Sequence, residues 1–275
     1  AKMTEIHNKT ILIIGAGNMG ISFISSLIKN KFSGKKIIVL EPKPSKNVLN
    51  LKKGKKIVLI KNEEELSNVA QPDLVLLAVK PNQVDNLFSL NLAKLIKRSV
   101  IISIIAGKKT STLRKLSNKN LNIVRSMTNT PISVGMGSSI VYFDQKTSPK
   151  AKKLSKQFLS LVGQVIEVNK ESQIDTFTAI FGSGPAYVYF FIETLSKIAS
   201  KNGFKQSDEM IIHLFLGSIL LMIDKGEHPA ILREKVTSKG GTTDAAIRSL
   251  IASDKFYNIL NRAINQAKDR SKKLN

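Results

Sequence analysis

An apolar run, Ile11-Leu12-Ile13-Ile14, leads directly into Gly15-Ala16-Gly17-Asn18-Met19-Gly20, and this junction constrains everything around it. Four branched apolar residues without a charge read as a buried central strand. In a turn from such a strand into a helix, the first glycine permits the tight bend and the second lets a pyrophosphate approach the backbone. The third lets helix and strand pack closely. The free N–H groups and positive dipole end of the helix then serve the phosphates. The G-x-G-x-x-G pattern is common by itself. Here an amphipathic stretch, 21–29, and a second strand, Lys36-Ile37-Ile38-Val39-Leu40, complete a dinucleotide-binding unit of about 30 residues.

Glu41 ends the second strand. An acid there accepts hydrogen bonds from the adenosine ribose and repels a 2′-phosphate, which favours NADH over NADPH. Lys43, Ser45 and Lys46 follow in the same loop and would hold that phosphate if Glu41 turned away.

Up to residue 168, strand-like runs alternate with helical patterns. The runs are 56–60, 73–79, 99–104, 122–125, 138–143 and 164–168, with an acidic helix start at Glu63-Glu64-Glu65. Such alternation predicts an α/β fold, a doubly wound and mostly parallel sheet with ligands beyond the carboxyl ends of its strands. Ala78-Val79-Lys80-Pro81 and Ile105-Ala106-Gly107 fall at that rim.

Beyond residue 168 the strand signals stop. Gly182-Ser183-Gly184-Pro185 reads as a helix entry, and 186–199 is apolar nearly all round, hence expected to be buried. Ser207-Asp208-Glu209 supplies a cap and first-turn acids for a second apolar stretch, 210–223, ended by Gly226. At about 14 residues that stretch is short of a membrane span. Helices this apolar, followed by the amphipathic stretches 243–253 and 256–272, predict a second domain that hides them against another copy of the chain. The division expected is 1–168 and 169–275.

The 275 residues contain no cysteine, which excludes disulfides, thiolate metal sites and a cysteine nucleophile. His7, His213 and His228 are too scattered for a metal cluster, so no metal is expected. No basic-then-apolar leader opens the chain, and a cytoplasmic location is the expectation. The net charge of +23 comes mainly from lysines spread along the chain, with seven arginines among 43 basic residues and no tryptophan. That is a solvated surface attractive to anions, without the clustered arginines and interleaved aromatics of a nucleic-acid reader. Neither nucleic acid nor membrane is an expected partner.

Val236-Thr237-Ser238-Lys239-Gly240-Gly241-Thr242-Thr243-Asp244 is the most unusual stretch. Hydroxyls and adjacent glycines before a helix can converge on one anion, and a small carboxylate fits.

Taken together, G-A-G-N-M-G at 15–20, A-V-K-P at 78–81, R-S-M-T-N-T-P at 125–131, G-S-G-P-A-Y at 182–187 and V-T-S-K-G-G-T-T at 236–243 resemble pyrroline-5-carboxylate reductase. The motifs occur in family order over nearly the whole chain. Two positions depart, since the family usually has proline where Thr128 and Lys239 stand. The resemblance implies a Rossmann domain followed by a helical domain that interlocks two subunits, with assemblies of dimers common. It implies that Ser238, Gly240, Gly241, Thr242 and Thr243 hold pyrroline-5-carboxylate. On the cofactor side it implies Gly15, Gly17, Asn18, Met19, Gly20, Asn62, Ala78, Val79, Lys80, Pro81, Ala106 and Gly107. Family members often carry a small polar residue near the position of Glu41 and prefer NADPH, and this chain departs there toward NADH.

The reaction implied moves a hydride to C5 of the cyclic imine and gives L-proline, the last step of proline biosynthesis. With no His, Cys or carboxylate pair placed for acid–base work, Thr243 is the candidate partner of the ring nitrogen, orienting or relaying a proton. A β-hydroxyacid dehydrogenase would share the first motif and the apolar helices. It would also need a lysine after a glycine-rich helix start, and Gly182-Ser183-Gly184 lacks one. A silent dinucleotide- or nucleic-acid-binding protein leaves the loop 238–243 unexplained.

Overall fold

The computed structural model describes residues 4–117 and 121–273. The apolar runs become eight strands separated by helices in chain order: α1 (Thr4–His7), β1 (Ile11–Ile14), α2 (Asn18–Lys29), β2 (Ile37–Leu40), α3 (Lys46–Lys53), β3 (Val58–Ile60), β4 (Leu74–Leu77), α4 (Leu90–Leu95), β5 (Val100–Ser103), α5 (Thr110–Ser117), β6 (Asn122–Thr128), β7 (Gly137–Tyr142), α6 (Pro149–Ser160) and β8 (Gly163–Val168). They form one sheet in the order β3-β2-β1-β4-β5-β6-β7-β8. Every neighbouring pair is parallel except β6 and β7. The reversal at β1, flanked by β2 and β4, is the topological switch point where such sheets bind ligands.

Alternate residues of each strand feed opposite faces. Ile11, Ile13, Val39 and Leu76 pack with Phe23 and Leu27 of α2 and Phe158 of α6. Leu12, Ile14, Leu40 and Leu77 pack on the other side with Leu92 of α4 and Leu113 of α5. Both faces are thereby covered, as parallel sheets require.

Two compact units result, one of them Gly184–Gln266 and the other taking in the chain through Ser183 and again from Ala267. The first unit thus reaches beyond the expected division at 168/169. The extension comes from α7 (Gln173–Phe177), whose Ile174 and Phe177 pack on Met127 and Ile140 of the sheet. Arg125 of β6 is buried with its guanidinium 3.5 Å from Glu171 and 3.8 Å from Asp175. Asp175 also accepts the Ser271 hydroxyl at 2.9 Å, which joins the end of the chain to this unit.

The helix expected to enter at 182–185 does so, with Pro185 as its second residue and not its first. α7 runs into a π-helical turn, Thr178–Gly182, and α8 (Gly184–Lys201) follows after Ser183. Pro185 has no N–H for the Phe181 carbonyl. Asn129 Nδ2 donates to that carbonyl at 3.2 Å.

In the second unit, α8 is followed by α9 (Ser207–Lys225), α10 (Pro229–Lys235), α11 (Thr242–Ile251) and α12 (Lys255–Lys273), the last of which runs on into the first unit. Ser207, expected as a cap, is the first helical residue of α9; the cap position is Gln206 and carries no side-chain bond. Gly226 ends α9 at φ +61°, as its lack of a side chain allows. α10, too short to show a period in the sequence, is capped by His228, whose Nδ1 accepts from Ala230 N–H at 3.2 Å.

In a single copy of the chain, the faces expected to be hidden against another copy lie open. The apolar faces of α8 and α9 are not buried: Tyr189 is 63% exposed, Phe190 66%, Leu214 55% and Leu216 52%. A unit of five helical segments has no second layer of its own to cover them. α9 is also longer than expected, at 19 residues. Even so, among the described residues no helix is long and apolar enough to cross a membrane.

Candidate active site

The strand order gathers one group of the candidate residues. Gly15, Glu41, Asn62 and Ala78 directly follow or closely follow β1, β2, β3 and β4, so four loops distant in sequence share one rim. Ala106 and Gly107 lie past β5, next along the same rim.

At this rim the glycines have distinct duties. Gly15 has φ +93°, and a Cβ on it would sit 2.8 Å from the carbonyl oxygen of Ala78, so the chain after β4 excludes any side chain here. A Cβ on Gly20 would sit 2.1 Å from the Gly15 oxygen, which is the close packing of helix on turn. Gly17 has no neighbour within 4 Å of where its Cβ would be. Gly17 is also the N-cap of α2, and no side chain caps that helix. The turn therefore offers open space and an uncapped helix start, which suits the pyrophosphate of a dinucleotide.

Glu41 is fixed by two backbone donors. Its Oε2 accepts from Ala16 N–H at 2.8 Å and its Oε1 from Lys43 N–H at 3.0 Å. Ser45 is engaged as the cap of α3, accepting from Val48 N–H at 3.4 Å. A pocket lined by Ile14, Gly15, Leu40, Glu41, Asn62 and Val79 opens beside this arrangement. Asn62 Oδ1 accepts from Glu65 N–H at 3.1 Å and so starts a short 3₁₀ helix, Glu63–Asn68.

The sequence reading missed Glu63, Gln83 and Asn86, which line the same pocket. Glu63 was findable as the neighbour of Asn62. Gln83 was not, because its role depends on a fold-back: its Oε1 accepts from Lys80 N–H at 3.0 Å across the turn at Pro81. The other expected residues, Asn18, Met19, Lys80, Pro81, Ala106 and Gly107, occupy the rim without lining this pocket.

The loop 238–243 belongs to the helical unit. Gly241 N–H donates to the Ser238 carbonyl at 3.0 Å, and Gly240 has φ +77°. This is a turn with Lys239 and Gly240 as its central residues. Gly241 then forms the N-cap of α11, again without a side-chain cap, and Thr242 and Thr243 are its first residues. Hydroxyls of Ser238, Thr242 and Thr243 thus cluster in sequence around an uncapped helix start, a setting suited to a carboxylate.

Asp244 accepts from Gly240 N–H at 2.9 Å and from Arg248 Nε at 3.0 Å. The Gly240 N–H, then Arg248, hold its carboxyl below the ordinary 3.8.

Thr128, one of the two departures, is buried at the end of β6, where its Oγ1 accepts from the Ser139 hydroxyl at 3.0 Å. No group of three or more metal-ligating side chains occurs among the described residues.

Comparison with known proteins gives concordant results for both units. A family model described as "Pyrroline-5-carboxylate reductase dimerisation" matches residues 171–274, and one described as "NADP oxidoreductase coenzyme F420-dependent" matches residues 10–107. Pyrroline-5-carboxylate reductase 1 of Bacillus subtilis is 32% identical, the match covering 97% of this chain and 89% of the relative. A pyrroline-5-carboxylate reductase structure from Coxiella burnetii has a TM-score of 0.85 at 29% identity, covering 97% of this chain and 98% of that one. The Plasmodium falciparum pyrroline carboxylate reductase with NADP bound has a TM-score of 0.83 at 27% identity, covering 98% of both chains.

Proposed function

The chain belongs to the pyrroline-5-carboxylate reductase family, and we propose that its two uncapped helix starts divide the work of the reaction. It is an NAD(P)H-dependent oxidoreductase that reduces the C=N bond of pyrroline-5-carboxylate to give L-proline, the last step of proline biosynthesis. Residues Gly15, Gly17, Asn18, Met19 and Gly20 hold the pyrophosphate, and Glu41 with Asn62 the adenosine side. Ala78, Val79, Lys80, Pro81, Ala106 and Gly107 form the rest of that rim. Ser238, Gly240, Gly241, Thr242 and Thr243 hold the substrate. The helical unit, Gly184–Gln266, is the dimerisation and substrate domain, and the working unit is a homodimer or an assembly of dimers.

The uncapped turn with open space at Gly17 is the observation that supports the cofactor assignment. When bound, the reduced nicotinamide supplies the hydride for C5 of the imine. The chain's own task is to bind and orient. The N–H groups at the start of α11 and the hydroxyls of Ser238 and Thr242 fix the substrate carboxylate. Thr243 hydrogen-bonds the ring nitrogen, directly or through water, and keeps a proton in line with it. Its hydroxyl carries no resting charge, so it orients and relays without acting as a base.

The preferred dinucleotide in this reading is NADH. With both carboxylate oxygens tied to backbone N–H groups, Glu41 stays at the ribose end of the pocket. Glu63 adds a second acid to the same lining, against the single lysine there, Lys61. A 2′-phosphate entering there meets like charge.

The decisive assay is oxidation of NADH and of NADPH with pyrroline-5-carboxylate, followed by absorbance on wild type and Thr243→Ala. Turnover faster with NADH is expected, and Thr243→Ala should lower kcat/KM at least about tenfold, or about 1.4 kcal/mol of transition-state stabilisation. Wild-type kinetics in that variant would remove Thr243 from the mechanism.

A further inference from the structure

Resting on the assignment of loop 238–243 to the substrate, we infer that Asp244, braced by Arg248, is a positioning residue that sets the shape of that loop. The loop turns through Lys239 and Gly240, closed by the 3.0 Å bond from Gly241 N–H to the Ser238 carbonyl, with Gly240 at φ +77°. A turn of this kind, with positive φ at its third residue, favours proline at the second, because proline presets φ there. Lys239 occupies that second position and supplies no such restraint.

The restraint comes from outside the turn. Asp244 Oδ2 reaches back from the first turn of α11 to accept the Gly240 N–H at 2.9 Å. Its other oxygen accepts Arg248 Nε at 3.0 Å, one helical turn further on. Ordinary helix-start chemistry would send an acid at this third helical position to the N–H of the cap residue. Here the cap is Gly241, and the acid passes it to hold the residue before.

Both ends of the loop are then fixed. Thr237 donates to the Arg233 carbonyl at 2.6 Å at the end of α10, and Asp244 holds Gly240 at the start of α11. The room left is tight, since a Cβ on Gly241 would sit 2.6 Å from the Ser238 hydroxyl. Loss of the Asp244 bond frees the Lys239–Gly240 peptide to rotate, and with it the hydroxyl of Ser238 and the N–H groups that meet the substrate. Asp244 touches neither substrate nor cofactor in this scheme. Its effect is to keep the loop in its binding shape before the substrate arrives.

The test is steady-state kinetics on the full chain with pyrroline-5-carboxylate and NADH. Asp244→Ala should raise KM for the imine about three- to tenfold, with KM for NADH unchanged and kcat altered by less than about twofold. Asp244→Asn keeps an acceptor for Gly240 but loses the one for Arg248, and its KM should fall between. This variant also serves if Asp244→Ala fails to fold. Adding Lys239→Pro to Asp244→Ala should return KM to within about twofold of wild type, because the turn then carries its own restraint.

A lowered melting temperature with unchanged KM in Asp244→Ala would make the residue a helix cap only and overturn the inference. Failure of Lys239→Pro to restore KM would overturn it too. Ser238→Ala and Thr243→Ala separate the two layers. If they raise KM or lower kcat while Asp244→Ala does neither, the clamp alone is wrong. If they change neither constant, the loop is not the substrate site and both readings fall.

Discussion

The sheet unit and the helical unit are built from similarly apolar stretches, yet they treat them in opposite ways. Apolar residues of β1, β2, β4 and β5 are at most 7% exposed, whereas Tyr189, Phe190, Leu214 and Leu216 of α8 and α9 are more than half exposed in one copy of the chain. The difference lies in layering. A parallel sheet receives its covering helices from its own crossovers, so each strand's two faces close within one chain. The helices of the second unit carry apolar residues on faces that no further layer of the same chain covers. That is the expected state of a segment matched by a dimerisation family, in which self-association covers such faces.

Disrupting the shared core should give the largest effect. Leu216→Asp would place a carboxylate in the interface of each subunit, and an unpaired buried charge costs about 3–5 kcal/mol. Sedimentation velocity should show monomers at concentrations where wild type is dimeric, while NADH binding by fluorescence stays within about twofold. A dimer of unchanged affinity would mean that this face of α9 is not the interface.

The self-contained core should answer locally. Gly20→Ala forces a methyl onto the Gly15 oxygen, where neither backbone can yield easily. Expected losses are about 3 kcal/mol, the upper range for overpacking. That lowers the melting temperature by roughly 6–12 °C in a protein of this size. NADH affinity should fall in the same variant, and normal affinity with normal stability would refute the close packing described at this turn.

A smaller effect should sharpen the cofactor assignment. In Glu41→Ser the ratio of kcat/KM for NADPH to that for NADH should rise about tenfold, or about 1.4 kcal/mol. No rise would show that Glu41 does not select the dinucleotide. Its bond to Ala16 N–H would then be a brace of the glycine turn alone.

All eight strands were legible in the sequence, because each is a short apolar run bounded by turn residues, and that signal is local. The glycine turn and the loop 238–243 were legible for the same reason, since their glycines stand where backbone geometry needs them. What the sequence determined by itself was therefore the strands, their order, the change to helices after residue 168, and the residue types suited to phosphates or a carboxylate, while the short α10 left no period to read. Tertiary structure alone decided the antiparallel join of β6 to β7, the π-helical junction before α8, and the fate of the apolar helix faces. It also decided that Glu41 answers to Ala16, 25 residues away, and that Asp244 bypasses the cap residue to hold Gly240. The physical reason is common to these cases. A periodic pattern tells which face of an element is apolar, and a residue type tells what bonds it can make. Which surface covers that face, and which donor lies within 3 Å, depend on chain segments brought together only by folding.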